Sequence, residues 1–455
     1  MRARHSVGSL WQSVALVALL AVTLASAGCG QSAGAGAFTP TSTIQRSAPQ
    51  RLSSSAWERI SLPGVATDIK GIAVSPTDPS AMFACTGRPL SLWRSTDAGA
   101  TWTQYTPTLG AASYCSFSFA PDDANLITLQ AAMSGQDSQA CVRDTFYLSH
   151  DGGGAWRELP PHASIAPGGT AASSCDLQVT RHHLYLHYYY EQTGQSPQLS
   201  LLERSDDDGA TWTRADHGLG DDALYFMPEV GPGETLALTV VRMPTTPDPA
   251  AMKGAELWTS ADAGATWREV STLPVGAGTA LWSSWPQGDG ARVGQGWPSP
   301  AHPFYALESE QIPSNLYHER ALMSSDGQHW TLLPPLPVSG ASAERPGILQ
   351  ALTVLPDGRL VVWGPGPQGS VPAAGAYPKE VEAFWLWLWS PTTQRWQAFP
   401  APLPTPASES CGLCWGAEAV ASKNGATYLY VEWLEFEPTY SSPPGMFRIR
   451  LPASA

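Results

Sequence analysis

The segment RSTDAGATWTQ, Arg94 to Gln104, places a turn of Asp, Gly and Thr between two runs that alternate like β-strands. The chain repeats it as LSHDGGGAWRE from Leu148, RSDDDGATWTR from Arg204 and TSADAGATWRE from Thr259. Ser, Asp, Gly and Trp keep one spacing in all four copies, whose acidic positions are Asp97, Asp151, Asp207 and Asp262. A repeat of this size predicts an architecture assembled from equivalent units.

Each residue type in the repeat suits a tight turn between strands. An Asp side chain accepts hydrogen bonds from turn amides, and Gly supplies a positive φ. The Trp that follows adds apolar area to the core. Two weaker copies come later: SSDGQHW keeps Asp326, whereas SPTTQRW loses the Asp and keeps Trp396.

The pattern S-x-D-x-G-x-T-W resembles the Asp-box, or bacterial neuraminidase repeat. That repeat occurs in β-propellers such as sialidases, sortilin-type receptors, some glucan hydrolases and photosystem assembly factors. The resemblance covers about residues 56–451. It implies that each box lies between the third and fourth strands of a blade, away from the functional face, so the Asp residues of the boxes are expected to be structural.

Counting the repeats gives an all-β fold, a seven-bladed β-propeller of four-stranded antiparallel blades. Six complete blades end at Trp396, and three further strands follow without a fourth. The segment AWERISL, residues 56–62, resembles a strand that follows a box, with Trp57 in the Trp position. We therefore predict that this N-terminal strand completes the last blade and closes the ring.

The N-terminus has the features of an export signal. Arg2 and Arg4 precede a short apolar run, and SAGC resembles a bacterial lipoprotein signal with Cys29 as the lipidated residue. Ser26 stands where that family usually has Leu, so ordinary cleavage near Ala27 with secretion is the alternative. We predict a signal peptide over 1–28, a lipid-anchored flexible linker over 29–55 and the propeller over 56–455. This arrangement places the protein on the extracellular face of the bacterial cytoplasmic membrane.

Composition restricts the partners. The formal net charge is −14, which argues against nucleic acid, because a phosphate backbone needs a basic surface. We expect a monomer that touches the membrane only through its lipid and needs no cofactor or metal.

The cysteines agree with export, because six remain beyond Cys29 and an even number favours disulfides. The propeller arrangement predicts Cys85–Cys115 and Cys141–Cys175, each joining a blade to the next, and a local bridge Cys411–Cys414. The last pair also has the spacing of half a zinc site or of a redox pair.

The binding surface is expected on the face with the long connections, which are rich in Trp, Tyr, Pro and Gly. Exposed aromatic residues there suit a sugar or a protein partner, and the alternative is that they pack on one another. The candidate ligand-binding residues are Arg88, Arg143, Tyr189, Arg242, Trp285, Arg345 and Trp415.

Catalytic chemistry is the rival hypothesis. A sialidase needs three Arg, a Tyr paired with Glu and an acid, and the short R-I-P motif of that family is missing here. A glucan hydrolase needs two carboxylates across a cleft. Nothing in the sequence selects a pair from the candidates Asp176, Glu191, Glu229, Glu310 and Glu382.

The sequence thus favours an exported, surface-anchored module that recognises a glycan, peptide or protein through loops on one face, without catalysis. The alternatives are an exported glycoside hydrolase, sialidase-like or acting on glucans, and an assembly factor for a membrane complex.

Overall fold

Seven antiparallel blades surround a common axis in a computed structural model of the chain. The structure describes residues 37–46, 50–51, 56–61, 69–106, 108–110, 112–120, 123–132, 144–162, 174–190, 199–220, 222–225, 228–230, 234–242, 256–273, 279–283, 303–312, 316–341, 350–355, 357–367, 384–400, 415–433 and 445–453. The predicted all-β, seven-bladed fold is confirmed.

Strands follow one another in chain order around the ring. The chain starts with β1 (Ala37–Arg46), β2 (Gln50–Arg51) and β3 (Trp57–Ile60). Blade one comprises β4 (Ile69–Val74), β5 (Met82–Thr86), β6 (Ser91–Ser95) and β7 (Thr101–Thr106), and blade two β8 (Tyr114–Ala120), β9 (Asp123–Ala132), β10 (Thr145–Ser149) and β11 (Trp156–Glu158). Blade three comprises β12 (Ser174–Val179), β13 (Leu184–Tyr190), β14 (Leu199–Ser205) and β15 (Thr213–Arg214).

The remaining blades continue this order. Blade four has a divided first strand, β16 (Ala223–Tyr225) and β17 (Glu229–Val230), then β18 (Leu236–Arg242), β19 (Glu256–Ser260) and β20 (Arg268–Thr272). Blade five comprises β21 (Thr279–Ser283), β22 (Phe304–Ile312), β23 (Leu316–Ser324) and β24 (Thr331–Leu332), and blade six β25 (Gln350–Val354), β26 (Leu360–Pro365), β27 (Phe384–Ser390) and β28 (Arg395–Pro400). Blade seven comprises β29 (Trp415–Lys423), β30 (Ala426–Trp433), β31 (Gly445–Arg450) and β3.

The N-terminal strand closes the ring as predicted. β3 pairs with β31 in antiparallel register, Trp57 opposite Ile449 and Ile60 opposite Met446. The innermost strand β4 then contacts its neighbours β29 and β8 on either side. The first blade and the last therefore pack against each other as separate sheets, and the ring is closed.

The hydrophobic core lies between blades. One cluster joins blades one and two through Phe83, Tyr105, Phe117 and Trp156, all nearly inaccessible to solvent. Similar clusters follow between the later blades. Each blade packs with both faces against its neighbours. Residues on both faces of its strands are therefore mostly apolar.

Tryptophans of the repeat also join blades by hydrogen bonds. The indole N–H of Trp102 donates to the Ser61 carbonyl at 2.9 Å, and that of Trp267 donates to Ala215 at 2.8 Å. In both cases the acceptor lies at the end of the outer strand of the preceding blade. In these two blades the Trp of the box thus packs in the core and also forms a hydrogen bond to the preceding blade.

A part of the expected flexible linker is in strands. β1 pairs with β7 through Thr39–Arg46 and with β11 through Ala37 and Phe38, and β2 pairs with β3. We call β1 and β2 the N-terminal belt. It adds an outer strand to blades seven, one and two, within the segment for which we predicted a linker. The predicted signal peptide and Cys29 lie outside the described residues.

The disulfide Cys85–Cys115 is confirmed, and it links blade one to blade two. Cys175 is also disulfide-bonded, and its partner lies outside the described residues, as do Cys141, Cys411 and Cys414. The pairing Cys141–Cys175 therefore stays a prediction. No helix among the described residues has the length and hydropathy needed to cross a membrane.

Candidate functional site

The strand order gives the propeller two different faces. In every blade the first-to-second connection starts and ends at one end of the strands, and in blades one to six the third-to-fourth connection, which holds the repeat turn, does so too; we call this end the box face. The strand ends joined by the second-to-third connections and by the links between blades lie at the other end, the opposite face. The strands that flank residues 133–144, 243–255, 366–383 and 401–414 leave and re-enter the blades at the opposite face.

The Asp-box turns use their polar groups internally. In the turn of blade three, the Ser205 hydroxyl accepts a hydrogen bond from the Gly209 amide at 2.8 Å and donates to the Asp207 carboxylate at 2.9 Å. The Asp207 carboxylate also accepts hydrogen bonds from the Thr211 amide at 2.8 Å and from the Thr211 hydroxyl at 2.6 Å. These bonds, the Thr211 hydroxyl first, lower the pKa of Asp207.

The same arrangement recurs in the other boxes. Asp262 accepts the hydroxyl and amide of Thr266, which lower its pKa, while partial burial opposes them. In the fifth box His329 takes the place of Thr and bonds to Asp326, whose pKa is strongly lowered. Since these carboxylates are already bound within their turns, they are poorly placed to act on a ligand.

Arg88 is the predicted binding residue that the structure leaves most accessible. It lies between β5 and β6 on the opposite face, and a cis peptide bond joins it to Pro89. Its side chain is exposed, and no described residue forms a hydrogen bond or ion pair with it.

Arg242, by contrast, is engaged in the fold. Its guanidinium pairs with Glu256 at 2.8 Å and Asp222 at 3.1 Å, and it stacks over the Trp258 ring. Partial burial lowers its pKa, but the pairs with Glu256 and Asp222 outweigh this and raise it. The side chain joins the end of β18 to the link between blades three and four.

The other binding candidates are placed only in part. The backbone of Tyr189 pairs with Ser174, and Trp415 is the first residue of β29, so both positions lie toward the opposite face. Their side chains lie outside the described residues, as do Arg143, Arg345 and Trp285 entirely.

Trp285 lies outside the described residues, and only the strands on either side of its connection are described. Residues 284–303 connect the first and second strands of blade five, β21 and β22. The flanking Phe304 pairs with Ser324, the Ser of the fifth box. This connection therefore begins and ends at the box face, on the other side of the ring from Arg88.

Glu229 is the most unusual of the carboxylate candidates. It lies on β17, the innermost strand of blade four near the box face, opposite Ala237. No hydrogen bond or ion pair from a described residue reaches it, and withdrawal from water raises its pKa to about 7. A carboxyl group with a pKa near neutrality can hold or release a proton under ordinary conditions.

The remaining carboxylates add no recognisable pair. Asp176 lies on β12, the innermost strand of blade three, and is half-buried. Only the backbone of Glu310 is described, and Glu191 and Glu382 lie outside the described residues. No charged group among the described residues contributes to the pKa shift of Glu229.

Sequence reasoning missed a histidine that joins two blades at the box face. The ring nitrogens of His183 lie 2.8 Å from Asp206 and 2.9 Å from Glu234, which belongs to blade four. Nothing in the local pattern signals this contact, because Glu234 is distant in sequence. Among the described residues, no three His, Cys, Asp or Glu side chains are grouped so as to hold a metal ion.

The solved structures that are similar to this chain are distant from it. No known protein family and no curated protein matches the chain. A GH74 enzyme from Niastella koreensis is 12% identical, with a TM-score of 0.34 over 88% of this chain and 71% of that one. A puromycin-hydrolysing peptidase of Mycobacterium tuberculosis is 13% identical, with a TM-score of 0.46 over 86% of this chain and 54% of that one.

A third solved structure, an α-L-arabinanase of Penicillium chrysogenum, is 14% identical, with a TM-score of 0.35 over 69% of this chain and 92% of that one. Similarities of this size say nothing about activity or substrate. The described residues form a seven-bladed β-propeller whose repeated turns share one pattern of hydrogen bonds.

Proposed function

We propose that this protein is an exported, surface-anchored propeller that binds a glycan, peptide or protein partner through its opposite face, without catalysing a reaction. The difference between the two faces carries the proposal. The box face presents mainly short turns whose polar side chains are satisfied internally, whereas the opposite face gathers the long connections. Binding residues commonly lie on loops that a rigid scaffold positions.

The position of Arg242 supports a role without sialidase chemistry. A sialidase of this fold would need a convergent group of arginines for the carboxylate of its substrate. The guanidinium of Arg242 instead forms ion pairs with Glu256 and Asp222 and donates a hydrogen bond to the Leu219 carbonyl. Arg88 stays available on the same face as a contact for a ligand.

Surface anchoring through a lipidated Cys29 belongs to the same proposal. It rests on the sequence of the N-terminus and on the disulfide Cys85–Cys115, because disulfides persist outside the reducing cytoplasm. Metabolic labelling with an alkyne-tagged fatty acid tests it: incorporation that Cys29→Ser abolishes is the expected result.

Binding is tested with the full chain, purified in mild detergent, on a glycan array and with fluorogenic sialosides and β-glucans. We expect retention on a set of glycans without turnover, and weaker retention for Arg88→Ala. Arg181→Ala is the matched control, since Arg181 is an exposed arginine in a box-face turn of blade three. Equal loss in both variants would contradict a site on the opposite face.

An exported glycoside hydrolase is the second candidate, and Glu229 is the observation that favours it. A general acid needs a pKa near the working pH, and Glu229 has one of about 7. Turnover of any β-glucan or sialoside that Glu229→Gln abolishes, with unchanged thermal stability, would replace the binding proposal with this one.

A further inference from the structure

A packing rule links each Asp-box to the blade before it. At four of the five box glycines among the described residues, the third residue after the Trp of one blade lies under the box Gly of the next; at Gly153, Phe83 takes that place. Leu159 lies against Gly209, Ala215 against Gly264 and Val270 against Gly327. The same relation crosses the ring closure, where Ile60, third after Trp57, lies against Gly99.

Phe399 occupies this position in blade six, third after Trp396. Among the described residues no box turn covers Phe399 in blade seven, because the third strand ends at Arg450 and the fourth is β3 from the other end of the chain. Phe399 is half-buried, as is Val270, whereas Ile60, Leu159 and Ala215 are 5% exposed or less. In the described part of the chain, ring closure thus leaves this one position without a box glycine, and we call it the vacant position.

A groove of about 410 Å³ lies at this vacant position. Its walls include Gln397 and Phe399 from β28, Ala426 from β30, and the segment Arg450–Pro452 after the last strand. A volume of this size is within the range of sites for small ligands, roughly 300 to 1,000 Å³. Its lining combines apolar side chains with the amide of Gln397 and the guanidinium of Arg450.

The guanidinium of Arg450 gives the groove its charge. Arg450 is exposed, and no carboxylate among the described residues pairs with it. Arg448, two residues earlier, is bonded to Glu58 at 2.7 Å instead. The chain has a net charge of −14. In this acidic protein, the groove combines an arginine that no described carboxylate pairs with and a half-buried aromatic ring.

We propose that this groove binds a carboxylate carried on a compact apolar group. Arg450 pairs with the carboxylate, for which the fork of a guanidinium is suited. Phe399 and Leu451 cover the apolar body, and the Gln397 amide donates a hydrogen bond at the rim. The site is independent of the function proposed above, because it lies at the box-face end of β31, where the seventh turn is missing.

The probe for this site is 3-phenylpropionate, with 3-phenylpropionamide as its neutral counterpart. Binding to the full chain in mild detergent is followed by saturation-transfer NMR, with a detergent blank. We expect the carboxylate to bind at least about tenfold more tightly than the amide, as for a charged hydrogen bond. Equal binding of the two probes, or no binding of the carboxylate, would overturn the proposal.

Variants locate the binding. Arg450→Gln should abolish the preference for the carboxylate, whereas Arg395→Gln should keep it, since Arg395 is an exposed arginine of β28 outside the groove. Gln397→Glu leaves Arg450 in place and adds a competing charge, so it should weaken the carboxylate alone. Thermal unfolding of each variant is measured alongside. A folded Arg450→Gln protein that still prefers the carboxylate would place the binding elsewhere.

Discussion

Trp57 donates its indole N–H to the carbonyl oxygen of Pro400 at 2.8 Å, which joins residues 343 positions apart. Trp396 makes the equivalent bond to Pro334 at 2.9 Å, within the regular series of blades. The strand that closes the ring is therefore held to blade six in the same way as the outer strands of blades one, four and six are held to the blades before them.

Trp57→Phe should lower the free energy of unfolding by about 1–2 kcal/mol, because it removes one hydrogen bond and leaves a carbonyl unsatisfied. Urea unfolding followed by fluorescence measures the change. Trp267→Phe removes the corresponding bond to Ala215 between blades three and four, and it should cost a similar amount. A loss for Trp267→Phe alone would mean that the closing strand contributes less than the geometry indicates.

Removal of the disulfide Cys85–Cys115 should also destabilise the fold. The bridge closes a loop of 30 residues, and a cross-link of that length restricts the unfolded chain by about 3–4 kcal/mol. The double variant Cys85→Ser, Cys115→Ser should therefore unfold at lower urea concentration than the oxidised parent. A parent protein whose urea midpoint is unaffected by reductant would contradict this expectation.

The Asp-box carboxylates should make stability fall in acid. The pKa of Asp262 is lowered in the fold, so its contribution is fully present above the ordinary pKa of about 3.9 and is lost as the pH falls through the folded value. Asp262→Asn should flatten the decline of the unfolding midpoint below about pH 4. Glu158→Gln is the control, because it removes a carboxylate to which no described residue donates a hydrogen bond.

Glu229 should give the opposite trend in a different pH range. Its pKa is raised to about 7, so the folded state holds this proton more tightly than the unfolded chain does. The stability that this bound proton contributes is fully present below about pH 4.3 and is lost as the pH rises toward 7. Glu229→Gln should raise the melting temperature at pH 8 more than at pH 5. A larger gain at pH 5 would show that the carboxylate is ionised in the fold.

The repeat made the ring predictable because its spacing is local and its chemistry is explicit. Ser, Asp and Gly at fixed offsets define a turn, and Trp57 identified the closing strand although no box precedes it. The pairing Cys85–Cys115 followed from the order of strands around the ring.

Other features could not be read from the sequence. The belt strand AFTPTSTIQR has no apolar alternation, because a strand added to an outer edge is recruited through backbone hydrogen bonds. The strands β21 and β22 flank the connection of residues 284–303 at the box face, which the sequence did not reveal because a long connection looks the same whichever strands it joins. Arg242 pairs with Asp222 and Glu256. These two residues come close to it only in the folded blade, where β18 lies beside them.

The N-terminal belt has a consequence for the order in which the chain is made. Blades one and two are complete once residue 158 exists, so β1 can pair with β7 and β11 at that stage. β3 must wait for β31, and Glu58 then meets Arg448 across 390 residues of chain. The belt keeps β3 close to blade one while the five further blades are synthesised. Because β3 is already nearby when β31 forms, closing the ring requires a much smaller loss of chain entropy.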